Sequence, residues 1–185
     1  MTDLIRLTYA SRTTASPNGV QRDLIDILHQ SIQFNSKHSI SGVLFYNNNY
    51  FFQCLEGERR QLSKLYDKIV KDSRHIEVVQ LAFENIDVAA FGQWDMKYIL
   101  EDSRIRHFFV HYYGQSFNPY LLSDGLYHEF IELLRESPVA ESIELEVESA
   151  LKHLERNKPF YASRYFALFV IMPLSIISLI FYIIN

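Results

Sequence analysis

The sequence predicts an α+β fold: five strands and two helices in the order β, α, β, β, α, β, β, with further helices behind them. Three observations predict it. Short β-prone apolar runs recur at residues 4–11, 40–46, 50–56, 75–83 and 94–100. Between them, residues 20–38 and 58–71 switch to helical spacing. Clusters of turn-forming residues mark the joins, as in the Ser-, Thr-, Pro- and Gly-rich stretch 11–19 and in Asn47, Asn48 and Asn49.

Residues 4–11, LIRLTYAS, alternate, and Ile5, Leu7 and Tyr9 share one face, so Tyr9 points where the apolar residues point. In the helix over 20–38, Leu24, Leu28, Ser31 and Asn35 fall at steps of four, three and four along one stripe. Two polar residues therefore extend an inward row. Residues 40–46 (ISGVLFY), the asparagine turn and residues 50–56 (YFFQCLE) form a hairpin with Gln53 in the middle of its second arm, which Glu56 and Gly57 end. The helix over 58–71 is built on Leu62, Leu65, Tyr66 and Ile69 and closes at the sequence DSRH, Asp72 to His75. A strand over 75–83, a connection over 86–93 and a fifth strand over 94–100 follow. Right-handed crossovers then gather the two helices on one face of a mostly antiparallel sheet, the ferredoxin-like βαββαβ arrangement with a fifth strand. Beyond residue 101 the aromatic run 107–113 fits strand or helix, while 120–134 and 139–156 read as helices parted by Ser137 and Pro138. These C-terminal helices are expected to cover the other face of the sheet. The expected organisation is a domain over 1–100, a helical extension over 101–160 and a membrane segment over 161–185.

Composition narrows the function. With 18 basic against 22 acidic residues, a formal charge of −4 and no basic cluster, the chain lacks the field of a nucleic-acid binder. Cys54, the single cysteine, excludes an intrachain disulfide framework and multi-cysteine metal sites, and fits a reducing compartment. Apolar residues at 48% and aromatics at 15% argue against disorder over most of the length. After Arg164 no charged side chain occurs, and residues 166–185 read FALFVIMPLSIISLIFYIIN. Twenty helical residues span about 30 Å, the thickness of a bilayer's hydrocarbon core. We therefore expect a single-pass C-terminal transmembrane helix, kinked at Pro173, with the folded part on the cytoplasmic side where Lys152, Arg156, Lys158 and Arg164 precede the span. The first seven residues, with Asp3 and Arg6, read into a strand and not as a signal peptide.

The most informative polar residues are Asn35 and Gln53, two amides placed where the pattern demands burial. Gln53 shares parity with Phe51 and Leu55, and Phe52 and Cys54 take the other face, so either assignment surrounds the amide with apolar neighbours. An unpaired buried amide costs about 1–3 kcal/mol, so each needs a partner. Two readings stand. Asn35 is a helix C-terminal residue and Gln53 bonds to backbone; or both, with the hydroxyls of Tyr9 and Ser31, face a planar ligand edge of alternating carbonyls, N–H and ring nitrogen, as in a flavin. Other residues read as structure: His107 and His111 lack further metal ligands, Cys54 is a small buried hydrophobe, and Glu56 and Glu58 flank a glycine turn as solvated or capping charges. On pattern alone Trp94 and Met96 are core residues too.

Together, Tyr9 in LTYAS, Ser31 and Asn35 in SIQFNSKHSISGVLFY, Gln53 in FFQCLEGE, the DSRH segment, and Trp94 with Met96 in FGQWDMKY resemble the BLUF family of flavin-binding blue-light sensors. The resemblance covers about residues 4–100; the tail is similar in length and helix count to those of short BLUF proteins, and the transmembrane segment lies outside the family pattern. It implies a flavin, FAD or FMN, between the two helices. Asn35 would bind the pyrimidine edge of the ring, Gln53 would sit between Tyr9 and the flavin N5 and C4 carbonyl, and Lys68 would approach the C2 carbonyl. Asp72, Arg74 and His75 would hold the second helix and the ring or its side chain, Ile27 would form an apolar wall, and Trp94 and Met96 would respond to the switch. The chain departs from the family pattern at Ser41 (usually Thr), Phe34 (often polar), Ala89 and Ala90 (Arg common) and Lys68 (frequently Arg). The implied function is a non-enzymatic photoreceptor, signalling to a partner protein through a Tyr9–Gln53 hydrogen-bond rearrangement, with paired C-terminal helices compatible with a homodimer. The competing readings are an acylphosphatase-like hydrolase, whose glycine-rich anion cradle is poorly approximated by Ser11 and Arg12, and a membrane adaptor with a vestigial flavin site.

Overall fold

β1 (Leu4–Thr13), α1 (Val20–His38), β2 (Ser41–Asn47), β3 (Tyr50–Glu58), α2 (Arg59–Ile69), β4 (His75–Asn85) and β5 (Lys97–Ile99) follow one another in the expected order. α3 (Ser103–Tyr113), a 3-10 turn at Pro119–Leu121 and α4 (Asp124–Glu136) complete the chain as described by the computed structural model, which covers residues 3–16, 19–92, 95–99 and 102–139. The strand order is β4-β1-β3-β2-β5, antiparallel throughout except for the parallel pair β2–β5. This is the ferredoxin-like sheet with one strand added at the β2 edge.

β3 lies at the centre, and its register places Gln53 directly opposite Tyr9 of β1 and Leu44 of β2. The pleat sends Leu7, Tyr9, Phe51, Gln53 and Leu55 to the face covered by α1 and α2. It sends Val43, Phe45, Phe52 and Cys54 to the opposite face, where Phe109, Phe130, Ile131 and Leu134 of α3 and α4 close a second core. Its rings meet edge to face, as in Phe52–Phe130 and Phe109–Phe117 with centroids 5.0 Å apart. Burial on both sides explains why β3 is almost continuously apolar in sequence.

Local chemistry sets the joins. Asn48 and Asn49 are the two residues between paired Asn47 and Tyr50, and both have positive φ, 51° and 63°. That is the tight turn whose twist matches the strands, and asparagine tolerates it better than other side chains. Gly42 lies so close to β3 that a Cβ there would collide with the carbonyl oxygen of Cys54. The run 107–113, open between strand and helix in sequence, is helix α3: the Asp102 side chain caps its first turn through the Arg104 N–H at 2.9 Å, and Gly114 at φ 68° ends it.

Several expectations are corrected. β3 runs through Glu56 and Gly57 to Glu58, and α2 is shorter than 58–71 at both ends. β5 is described over Lys97–Ile99 where 94–100 was expected; the other described residues in that range, Asp95 and Met96, lie ahead of the strand. The expected helix over 120–134 starts later, its first residues forming the 3-10 turn initiated by Asn118 and Pro119. Glu56 is not a solvated charge. It is 1% exposed, takes two N–H bonds from Arg6 at 2.9 and 2.7 Å, and accepts the Phe91 backbone N–H at 2.9 Å. Glu58 is exposed, as read. Among the described residues no helix is long and apolar enough to cross a membrane. The expected transmembrane segment and the helix over 139–156, beyond its first residue, lie outside the described residues.

Candidate functional site

Adjacent strands bring the first two predicted site residues together. Tyr9 and Gln53 are cross-strand partners on one face, and the Tyr9 hydroxyl donates to Gln53 Oε1. The other end of the amide, Nε2, donates to Met96 Sδ at 3.5 Å, just ahead of β5. Gln53 is 3% exposed, so these contacts are made in a dry environment.

Above them lies a cavity of about 210 Å³ between α1, α2 and the sheet. Of the predicted residues, Ile27 and Ser31 of α1, Lys68 of α2, and Asp72, Arg74 and His75 line it together with Tyr9 and Gln53. Asn35 is fully buried near the end of α1, where its Nδ2 donates to the Asp95 carbonyl at 2.8 Å. Its Oδ1 has no partner and is shielded from solvent. Such an orphan acceptor costs about 1–3 kcal/mol, and a donor N–H on a ligand would remove the cost. Trp94, the remaining predicted residue, lies outside the described residues.

The cavity also has residues that the sequence reading did not assign to it. Gln30, Phe34, Leu65 and Ile69 line it. Leu65 and Ile69 had been read only as the apolar stripe of their helix. Ile27, Gln30, Ser31 and Phe34 recur at helical spacing, and that periodicity is the signal that could have found the α1 wall. Lys68 Nζ sits 4.6 Å from the Phe34 ring centroid, so the residue that replaces the usual polar one holds the cation at the cavity rim.

Charges at the site follow burial. Enclosure pushes the Tyr9 phenol well above its ordinary pKa, with Asp72 and Tyr66 acting in the same direction, so Tyr9 is neutral. Arg74 hydrogen-bonds Asp72 and holds its carboxyl below the usual range, and reaches Gln30 of α1 at 2.8 Å. The pair thereby ties the end of α2 to α1. Burial pulls His75 down to about 4 against the opposing pull of Asp72, and its Nδ1 lies 2.9 Å from Ser11 Oγ. A pH dependence follows. The unfolded chain takes up the His75 proton near pH 6.5 and the folded chain only near 4, so stability falls as pH drops through that window. We expect up to about 3 kcal/mol to be lost between pH 7 and 4 through this residue, and His75→Asn to flatten that part of the curve in urea melts. An unchanged slope in the variant would exclude His75 as the source.

The site accommodates a flavin. Gln30, Phe34, Ile27 and Leu65 offer a narrow, mainly apolar slot, while the Gln53 amide and the Lys68 cation supply donors and an acceptor for a ring edge of carbonyls and N–H; Asn35, with its unpartnered Oδ1, is not among the residues that line the slot. Elsewhere, His107 and His111 are exposed on α3, and among the described residues no group of three or more His, Cys, Asp or Glu side chains is placed to hold a metal. Cys54 is fully buried, and burial pushes its thiol up to about 12, with Glu56 adding to the effect.

Comparison with known proteins agrees with this geometry. The family described as sensors of blue light using FAD (BLUF) matches residues 4–97. The solved structure of BlsA in its ground state is 37% identical with a TM-score of 0.71, covering 74% of this chain and 91% of that one. The alpha subunit of the photoactivated adenylate cyclase of Euglena gracilis is 34% identical over 106 residues, 57% of this chain and 10% of that protein. The blue light- and temperature-regulated antirepressor BluF of Escherichia coli (strain K12) is 33% identical over 63 residues, 34% of this chain and 16% of that protein. The chain thus spans about a tenth of the cyclase subunit's length and about a sixth of the antirepressor's. With the family matched over half the chain and a buried Tyr9–Gln53 pair beside a cavity suited to its cofactor, the chain belongs to the BLUF family of blue-light sensors, and its cofactor is the flavin FAD.

Proposed function

We propose that this chain is a blue-light receptor that signals to a partner protein by rearranging the hydrogen bonds of Tyr9 and Gln53 around the bound flavin. The observation that carries the reading is the Gln53 amide, buried at the cavity wall with its oxygen on the Tyr9 hydroxyl and its nitrogen on Met96 Sδ. When bound and excited by blue light, the flavin supplies a strong oxidant for a nearby phenol. Tyr9, held as a neutral phenol by burial, gives up an electron and its hydroxyl proton. Gln53 Oε1, which already accepts the hydrogen bond from that hydroxyl, is the atom to which the proton moves. Return of both particles to Tyr9 leaves the amide in a new orientation or tautomer.

The two ends of the amide are held unequally. A thioether is a weak acceptor, so releasing Nε2 from Met96 costs little. An amide turned end for end presents an oxygen to the sulfur, and two acceptors cannot bond, so Met96 gives way. Asn35 and Ser31 would hold the pyrimidine edge of the ring, Lys68 would approach a ring carbonyl, and Ile27 would form an apolar wall. Asp72, Arg74 and His75 would hold the second helix and the ring or its side chain, and Trp94 would respond with Met96.

The output is a protein contact, supported by exposed Val110 and Tyr112 on α3, which also suit a second copy of the chain. The charge-free run 166–185 supports a sensor held at a membrane with its folded part in the cytoplasm; release by alkaline carbonate would exclude that placement. The function itself is tested by illuminating the purified full chain. Yellow protein whose flavin band moves to the red under blue light and returns in the dark is expected. Bound flavin without a shift removes the switch, and protein that cannot take up flavin favours an adaptor.

A further inference from the structure

α4 is held against the sheet by two buried polar contacts. Thr8 Oγ1 and Tyr127 OH lie 2.6 Å apart. Lys97 Nζ donates to the carbonyls of Leu134 at 3.1 Å and Arg135 at 2.7 Å. Lys97 is 1% exposed, and it spends its charge on the end of a helix where carbonyls lack intrahelical donors and carry partial negative charge.

The placement of these two residues is informative. In a single-layer sheet successive side chains face opposite sides. Thr8 precedes Tyr9, and Lys97 follows Met96. Tyr9 and Met96 are the two groups bonded to Gln53. Each partner of the amide on one face is therefore adjacent in the chain to a residue that grips α4 on the other.

The two grips differ in firmness. Thr8 sits on β1, which is paired along most of its length with both β3 and β4. Lys97 sits on β5, three residues long, at the sheet edge and paired with β2 alone. Just ahead of it the Asn35 side chain bonds the Asp95 carbonyl, and Gln53 Nε2 adds its weak contact with Met96. An element with so few ladder bonds is the one that shifts at low cost.

We propose that Lys97 is the positioning residue through which the state of Gln53 sets the C-terminal end of α4. The proposal rests on the Tyr9–Gln53 reading above and names its output. Displacement of Met96 moves β5, Lys97 leaves the Leu134 and Arg135 carbonyls, and the last turn of α4 loosens about the Thr8–Tyr127 pivot. Ser137 follows. Its hydroxyl lies 2.7 Å from Asp102 Oδ2 and 2.8 Å from the Leu133 carbonyl, so the start of α3 is drawn into the same event.

Hydrogen exchange of the full chain with FAD bound, in the dark and under continuous blue light, tests this. In the unmodified chain, amides of residues 131–137 are expected to exchange about tenfold or more faster in the light, a scale that losing even one of the two charge-assisted bonds of Lys97 reaches, while those of β1 stay unchanged. In Lys97→Met the red shift persists, the end of α4 already exchanges at the lit rate in the dark, and light adds nothing. Lys97→Arg restores the light dependence. A chain that shifts to the red with no change at the end of α4 overturns the proposal and leaves the photoreceptor reading intact, as does a Lys97→Met chain with an undiminished dark–light difference. A chain with no red shift overturns both. The unmodified chain decides by itself if Lys97→Met does not fold.

Discussion

Gln53→Leu is expected to retain flavin and to lose the light-induced red shift completely. Leucine is close to glutamine in size and fills the same space among Phe51, Leu55 and Leu44, so the cavity keeps its shape. What disappears is the amide that takes the Tyr9 hydrogen bond on one side and offers one to Met96 on the other. Flavin affinity falls by no more than one hydrogen bond, about 0.5–1.5 kcal/mol. The Tyr9 hydroxyl, 1% exposed at the residue level, is left unpaired and costs the fold about 1–3 kcal/mol. Difference spectra before and after blue illumination give the answer. A reversible red shift of ordinary size in this variant would remove Gln53 from the mechanism.

The second large effect is on stability. Glu56→Ala leaves the Arg6 guanidinium, whose side chain is 11% exposed, without the carboxylate that meets it through two N–H groups. The Phe91 backbone N–H loses its acceptor as well. Breaking a buried pair by removing one partner costs about 3–5 kcal/mol, a large part of the 5–15 kcal/mol typical of a domain. Glu84, 3.1 Å from Arg6 and less buried than Glu56, recovers only part of this. We expect a marked fall in the urea midpoint with an unchanged slope. The double variant Arg6→Met, Glu56→Leu is expected to be markedly more stable than Glu56→Ala, because no lone charge remains. A stability within about 0.5 kcal/mol of the unmodified chain, the range of ordinary surface substitutions, would show that the pair is not structural.

These two sites also mark where sequence reading succeeds and where it stops. The order of elements was legible because periods of two and of about 3.6 alternate cleanly and because asparagine, glycine and proline sit at the turns. Gln53 was conspicuous as an amide inside an apolar strand, and strand parity placed it with Phe51 and Leu55. Its juxtaposition with Tyr9 depends on the β1–β3 register, which is a property of two distant segments. Glu56 was misread for the same reason. Next to Gly57 it looks like a turn charge, and nothing nearby in the chain announces Arg6, fifty positions away. β5 was drawn too long at its start because the Asp95 carbonyl and Met96 meet side chains, Asn35 and Gln53, where ladder bonds to β2 had been expected. Gln30 escaped notice as a polar helix residue, and only the bend of the chain at Arg74 shows what it faces.

The sheet stands between the chromophore slot on one side and the aromatic bed of α3 and α4 on the other. Colour and audience are thereby separable for an engineer. Residues such as Ile27 and Phe34 are open to exchange when tuning absorption, while the outward flanks of α3 and α4 can be rewritten to address a different listener, with β3 serving both halves as a shared wall.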